Sequence, residues 1–453
     1  MMSEKMGPII STNGLVFCVD AANPQSIVSG QTIWKDLTFN TTGGTLVNGV
    51  GFSGSGINSA LSFDGTDDFV RISSDQPFTP RNGFSVTSWV NPTDITFQRY
   101  SEITRRQGTG GSTPTYLLSF QEYGDIISFG LKTTSTYNEL DIQIKSGGTN
   151  TWTSYIGTWD GTNKRLYRNG SNIGQNAQIG TISDDSGVFT SIGSLPAGGE
   201  YFRGRISQVQ MYDRGLSPFE VYQNYNAIKG RYGIPDIVTG GLVLNLDAGN
   251  PYSYNPDNTG STVWTDVSYT SNGGTLINGA SYTGGTIQFD GTNDYVNCGN
   301  ILNPSLLNNN FTIEVWFNSS GYRADQQQRL VSYQDSYAFF FDGNSILRFE
   351  IRLNDFSYKA VLTTIPSVGS WNQLIATCNG TKLEIYKNGV LSNTTNYTGS
   401  IGTTNYVFNI GAYQNDTQYR INGRMASTRV YNRVLTQAEI TQNFNALRGR
   451  YGI

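Results

Sequence analysis

The sequence predicts an all-β protein of two tandem antiparallel β-sandwich domains, each ending in one short helix, and three observations carry that expectation. The first is duplication: residues 431–453 (YNRVLTQAEITQNFNALRGRYGI) repeat residues 212–234 (YDRGLSPFEVYQNYNAIKGRYGI) at more than half of the positions. The second is composition. Only 14% of the 453 residues are charged, while 53 are Gly and 27 are Tyr, a turn-rich balance typical of β structure and too aromatic for disorder. The third is period-two alternation: Phe84, Val86, Ser88 and Val90 are interleaved with Ser85, Thr87 and Trp89, and Phe311, Ile313, Val315 and Phe317 with Thr312, Glu314 and Trp316.

The duplication sets the domain plan. GLVFCVDAANPQS at 14–26 returns as GLVLNLDAGNPYS at 241–253, FDGTDDFV at 63–70 as FDGTNDYV at 289–296, and WTSYIGTWDGTNKRLYRNG at 152–170 as WNQLIATCNGTKLEIYKNG at 371–389. Each half is long enough to bury its own core. The expected organisation is an arm at 1–13, a first domain at 14–234, a linker at 235–240 and a second domain at 241–453.

Local signals then place the elements. GLVFCVD and GLVLNLD read as opening strands closed by Asn-Pro turns. Asn169-Gly170 and Asn388-Gly389 each sit at the tip of a predicted hairpin, because Asn-Gly accepts the positive φ angles of a type I′ turn. Ser217-Pro-Phe-Glu220 and Thr436-Gln-Ala-Glu439 are capping boxes, and the apolar series Val221, Tyr225, Ile228 and Ile440, Phe444, Leu447 give each following helix one buried face. Residues 99–150 diverge from their counterparts in length and sequence, and such loops on a duplicated scaffold are where the copies would acquire different partners.

Composition also excludes. The chain has no His, which removes Ser-His-Asp and Cys-His catalysis and every His-ligated metal site. A net charge of −4 without a Lys/Arg cluster leaves a nucleic-acid partner no footprint, and no apolar run is long enough for membrane insertion. Cys18, Cys298 and Cys378 do not fall at matching positions and read as free, buried thiols. The amino terminus lacks a secretion-signal pattern, so folding in a reducing cytoplasm, or export by another route, is expected.

Together GLVxxxDA, the Trp-x-Asp turn, FDGTxDxV, FTIEVW, the YKNG hairpin and the closing segment resemble the LamG-like jelly-roll family, within the concanavalin A-like lectins and glucanases. The resemblance covers nearly the whole chain twice. It implies a jelly-roll sandwich in each half. The tandem closing segments resemble virion proteins of tailed bacteriophages (tail fibre, baseplate or capsid decoration). That resemblance implies a non-catalytic protein whose partners are host-surface glycans or other virion proteins, assembled in the host cytoplasm; whether it forms a homo-oligomer stays open. A glycan hydrolase or lyase of the same class is the alternative. Glycanases of the family use E-x-D-x-x-E on one strand, whose alternation sets the carboxylates on one face; the nearest match, Glu139-Leu-Asp141-Ile-Gln-Ile144, lacks the last carboxylate.

Asp64 and Asp290, with Asp67, Asp68 and Asp294, form the densest repeated acidic group. They offer hard oxygens to calcium, or they make Asx turns before Gly-Thr, the reading favoured. Relatives place a calcium-binding Asp in the strand before Tyr-Asn-Arg, where this chain has Ser207 and Ala426. Trp89, Trp316, Tyr167 and Tyr386 recur in both halves and read as architecture rather than sugar platforms; Tyr100, Tyr116, Tyr123, Tyr137 and Tyr155 fall in or beside the divergent region. Arg214 and Arg433 are expected to steady the start of the closing helix.

Overall fold

The structure, a computed structural model, describes residues 10–72, 82–108, 113–144, 149–183, 188–413 and 419–453. The chain divides into two compact units, residues 1–234 with 452–453 and residues 235–451. Each is a sandwich of two eight-stranded antiparallel sheets.

In the first unit, one sheet runs in the order Ser171–Ala177, Asn163–Arg168, Thr153–Trp159, Phe84–Pro92, Arg203–Tyr212, Ala60–Asp64 and Gly51–Ser53, with Leu15–Asp20 also paired to Arg203–Tyr212. The other runs Tyr137–Gln143, Ile126–Lys132, Tyr116–Gln121, Tyr100–Gly108, Val188–Ile192, Phe69–Ile72, Gly44–Val47 and Ile33–Trp34. The predicted alternation decides which side chains fill the gap. Phe84, Val86 and Val90 point inward against Leu118, Phe120 and Phe129 of the second sheet, while Trp89 points outward. In the second unit Phe311, Ile313, Val315 and Phe317 do the same and Trp316 points outward.

The outward Trp of each unit lies beneath the closing helix. Pro218–Ile228 begins with the complete Ser217/Glu220 capping box, and Gln437–Tyr451 with Thr436 and Glu439 in the same reciprocal bonds. The GRY that follows, in the 3-10 turn Lys229–Tyr232 of the first unit and in the last turn of the second helix, then does two jobs. Its Tyr slides between two tryptophans: Tyr232 lies 4.5 Å from both Trp89 and Trp152, and Tyr451 lies 4.7 Å from Trp316 and 4.5 Å from Trp371. Its Arg reaches the Asp that ends the opening strand. Arg231 Nη1 donates to Asp20 Oδ2 at 2.6 Å, and Arg450 Nη1 donates to both oxygens of Asp247 at 2.8 Å. One sheet of each unit is thereby capped by its helix; among the described residues the other sheet carries no helix on its outer face.

The expected hairpin tips form as I′ turns, with φ of 48° and 76° at Asn169 and Gly170 and 51° and 80° at Asn388 and Gly389. The two flanking segments differ from expectation. Residues 10–13, expected as part of a free arm, lie along the first helix: Ser11 N donates to Asn224 Oδ1 at 2.7 Å and Tyr212 Oη donates to the Ser11 carbonyl at 3.0 Å. Residues 235–240, expected as a linker, belong to the second unit and repeat those bonds: Val238 N donates to Asn443 Oδ1 at 2.8 Å and Tyr431 Oη to the Val238 carbonyl at 3.1 Å. Both are lead-ins that satisfy the buried Asn and Tyr of their own sandwich. Residues 1–9 of the expected arm lie outside the described residues.

In the second unit the closing pair sits in a larger buried cluster. Arg429 Nη2 also donates to Asp247, at 2.9 Å, and Arg429 Nη1 lies 3.7 Å from Glu314, whose other oxygen accepts from Asn443 at 2.7 Å. Burial alone would raise the Asp247 carboxyl; the Arg450 and Arg429 guanidiniums more than reverse this and hold it below the usual range. In the first unit Gln210 and Thr87 stand where Arg429 and Glu314 stand. Removing one partner strands a buried charge, so Asp247→Asn is expected to cost about 3–5 kcal/mol in urea unfolding. Asp20→Asn, with a half-exposed partner, is expected to cost less.

Candidate functional site

Trp89, Trp316, Tyr167 and Tyr386 are all buried under the closing helices, so none of these four offers a sugar platform. Tyr116 and Tyr155 lie in the first core; Tyr123 is exposed at a turn, and Tyr100 and Tyr137 stand on the outer face of the helix-free sheet. That face, in each unit, gathers the polar and aromatic side chains of the divergent strands.

On the first unit the face carries a polar network centred on Arg105, with Glu102 Oε2 buried outside it. Arg105 Nη1 donates to Glu102 Oε1 at 2.6 Å and to Glu200 Oε2 at 3.0 Å, and its Nε to Gln107 at 2.6 Å. Burial drives the Glu102 carboxyl well above the usual range. Two strands away, Ser128 Oγ joins Glu139 (3.0 Å) and Asp141 (2.7 Å), while Gln121 and Tyr137 donate to the Glu139 carboxylate. The Glu-x-Asp alternation therefore does set both carboxylates on one face, each already engaged.

On the second unit the corresponding face is aromatic and cationic. The Arg329 guanidinium lies 3.8 Å from the Phe340 ring centroid, 5.1 Å from Tyr413 and 5.5 Å from Tyr419. Arg348 bonds Glu350 and, at 3.2 Å, Asp342; Arg352 lies 3.5 Å from Asp335, which also accepts from Tyr413 Oη at 3.2 Å. Arg329, Asp335, Glu350, Arg352 and Tyr413 line a depression of about 90 Å³ bounded by Tyr358, and a wider one of about 540 Å³, with no lining residue in common, opens toward the other end of these strands past Gln327, Asp342 and Tyr419.

The acidic repeat behaves as a turn. Asp64 Oδ1 accepts from Thr66 N at 2.7 Å and Asp290 Oδ1 from Thr292 N at 2.7 Å, the Asx geometry. The Thr66 amide holds the Asp64 carboxyl below its usual range, while burial raises those of Asp68 and Asp294. Carboxylate oxygens of Asp64, Asp67 and Asp68 do lie within 4.8 Å of one another, but Asn293 replaces Asp67 in the second copy. The family's other calcium position does not fit a cation: Ser207 Oγ donates to the Ser59 carbonyl at 2.8 Å, and Ala426 is packed beneath Trp316.

Family comparison agrees with this architecture. The family Laminin_G_3, concanavalin A-like lectin/glucanases superfamily, matches residues 64–222 and again 290–441. The chain belongs to the concanavalin A-like lectin/glucanase superfamily. Solved structures similar to this superfamily member include domain 4 of AbnA, an extracellular arabinanase of Geobacillus stearothermophilus, in complex with arabinotriose (16% identity, TM-score 0.38, covering 47% of this chain and 98% of that one). The Ruminococcus gnavus sialidase CBM40 bound to sialyllactose matches at 17% identity and TM-score 0.31, over 36% of this chain and 94% of that one. The binding domain of botulinum neurotoxin serotype G matches at 15% and 0.38, over 91% and 97%. No curated protein sequence matches the chain. Among the described residues no helix is long and apolar enough to cross a membrane.

Arg214 and Arg433 steady the helix start as expected, through a partner the sequence left open. Each forks onto the capping Glu: Arg214 onto Glu220 at 2.8 and 2.5 Å, Arg433 onto Glu439 at 2.9 and 2.7 Å. These arginines hold both carboxyls down to about 2. A carboxyl depressed on folding contributes stability that is full above its unfolded value and lost as pH falls through the folded one. Arg433→Gln is therefore expected to shift acid unfolding of the second unit to higher pH, followed by circular dichroism. The Asx reading predicts that Asp64→Ala costs about 1 kcal/mol and Asp64→Asn less, with the same melting midpoint in calcium as in chelator.

Proposed function

We propose that the chain is a non-catalytic glycan-binding attachment protein, and that it serves on the virion of a tailed bacteriophage, against host-surface glycans or neighbouring virion proteins. Superfamily membership in two copies supports the glycan-binding part. The observation that carries it furthest is the helix-free face of the second unit, where aromatic rings and guanidinium–carboxylate pairs stand side by side around a depression. Rings stack on the apolar faces of sugars, and planar charged groups take hydroxyl pairs by fixed-geometry hydrogen bonds. The virion placement rests on the closing segments QNYNAIKGRYGI and QNFNALRGRYGI and on the resemblance they carry.

Absence of catalysis is part of the proposal. A retaining or inverting glycosidase needs one carboxyl to give a proton and a second to attack or activate water. Glu139 and Asp141 share a serine donor, and Glu139 is held by Tyr137 and Gln121 as well. Glu139 is thereby committed to the network, while Asp141 is exposed and bonded only through Ser128, which leaves no second carboxyl paired with a free acid.

The expected outcome on a broad glycan array is selective retention of the full-length protein, and a reducing-end assay on the retained glycan is expected to show no release of new ends. Retention with steady release would favour the hydrolase reading. No retention on glycans or on host cells would leave a structural role among protein neighbours.

A further inference from the structure

The two units place opposite charges at one buried position of the helix-free face. Glu102 and Arg329 each precede a bulge in the equivalent strand, between Glu102 and Thr104 and between Arg329 and Val331. Each backbone N–H donates to the same returning segment, Glu102 to the Glu200 carbonyl at 2.9 Å and Arg329 to the Tyr419 carbonyl at 3.0 Å. Each is opposed across the next strand by the matching residue, Ser119 in the first unit and Phe340 in the second. Both are almost fully buried, at 1% and 7% exposure.

Their neutralisation differs. Glu102 has an internal counter-ion in Arg105, which also takes Glu200. By register Ser332 occupies the Arg105 position and Tyr419 the Glu200 position of the second unit, so the ion pair is absent there. The nearby carboxylates are already committed: Asp342 and Glu350 to Arg348, Asp335 to Arg352. Arg329 keeps one hydrogen bond, from Nη2 to Gln327 at 2.5 Å, while its Nε and Nη1 are buried without a protein partner. Burial pulls this guanidinium below its usual range, and the Glu350 and Asp342 carboxylates offset that only in part. The surrounding rings compensate in part. Arg329 lines, with Asp335, Glu350, Arg352, Tyr358 and Tyr413, a depression too small for a whole oligosaccharide and sized for one substituent, while a wider one opens at the Gln327–Asp342 end of the same strands.

We infer that the helix-free face of the second unit is a site for an acidic saccharide, in which Arg329 receives the ligand's carboxylate or sulfate while Phe340, Tyr413 and Tyr419 wall the group off from water. The inference rests on the glycan-binding reading above and narrows it. The first unit, its equivalent charge closed by Arg105, has no such preference.

The experiment is calorimetric titration of the full-length protein with oligogalacturonate, its fully methyl-esterified form, and a sulfated galactan oligosaccharide free of carboxylate. The acidic form is expected to bind at least about tenfold more tightly than the ester, the size of one charge-assisted hydrogen bond. Binding of the sulfated oligosaccharide as well, or instead, distinguishes a general anion site from a carboxylate site. Arg329→Gln is expected to erase the acid-to-ester difference, and Arg329→Met to do so with an unchanged or raised melting midpoint, since it removes a buried charge and keeps the volume. Glu102→Gln in the first unit is expected to leave the difference intact. Equal binding of acid and ester by the unaltered protein, or a difference that survives Arg329→Gln, overturns the inference while the glycan reading stands. Failure of all three saccharides together with failure on the glycan array overturns both.

Discussion

Each sandwich depends on one charged contact between its beginning and its end. The Asp that terminates the opening strand is neutralised by the Arg of the closing GRYGI, Asp20 by Arg231 and Asp247 by Arg450. Such a carboxylate would be costly to bury alone. The guanidinium that compensates it arrives only when the helix lies across the sheet, so the ion pair fixes the helix position more sharply than apolar packing could. The next residue, Tyr, inserts between two tryptophans and seals that sheet. The capping arginine at the other end of the helix anchors the lead-in carbonyl as well: Arg214 Nε to Asn13 and Arg433 Nε to Gly240.

With one sheet committed to the helix, divergence had one face left to work on. The duplicated frame keeps its Asn-Gly tips, capping boxes and Trp pair in both copies. The helix-free faces keep almost nothing in common: Glu102, Arg105 and Glu200 on one, Arg329, Ser332 and Tyr419 on the other. An internal ion-pair network and a cation without a salt bridge are different surfaces on the same backbone, as expected when variation concentrates where packing does not constrain it.

The fold was legible because its signals are local. Alternation named the inward residues of Phe84–Pro92 and Asn310–Ser319, Asn-Gly named the turns, and Ser217 and Thr436 named the helix starts. The lead-ins were not legible, since four to six residues without period give no pattern, although IISTNG and PDIVTGG do share an Ile-x-Thr-x-Gly spacing. The candidate site was hidden for a different reason. Its members lie on strands that meet only in space, and the bulge at Glu102 and at Arg329 shifts the inward–outward phase part-way along each strand. A period-two count through YSEITRRQG or QQRLVSY therefore assigns half the side chains to the wrong face. The only available signal was the divergence of residues 99–150 itself.

The strand that carries Tyr212 or Tyr431 has a consequence for how the protein is made. It is central to the helix-capped sheet, flanked by the opening strand and by Phe84–Pro92 or Asn310–Ser319, yet it is among the last segments of its unit to be synthesised. Until it emerges, the early strands wait with open edges and their Asp unpaired. This is a high-contact-order topology, slow to close and exposed to edge-to-edge association in the interval. On a translating ribosome the first unit lacks the Arg231–Asp20 pair and the Tyr232 that lies between Trp89 and Trp152 until those residues have cleared the exit tunnel. Two such units in series spread that risk over two windows, each ended by the same five residues.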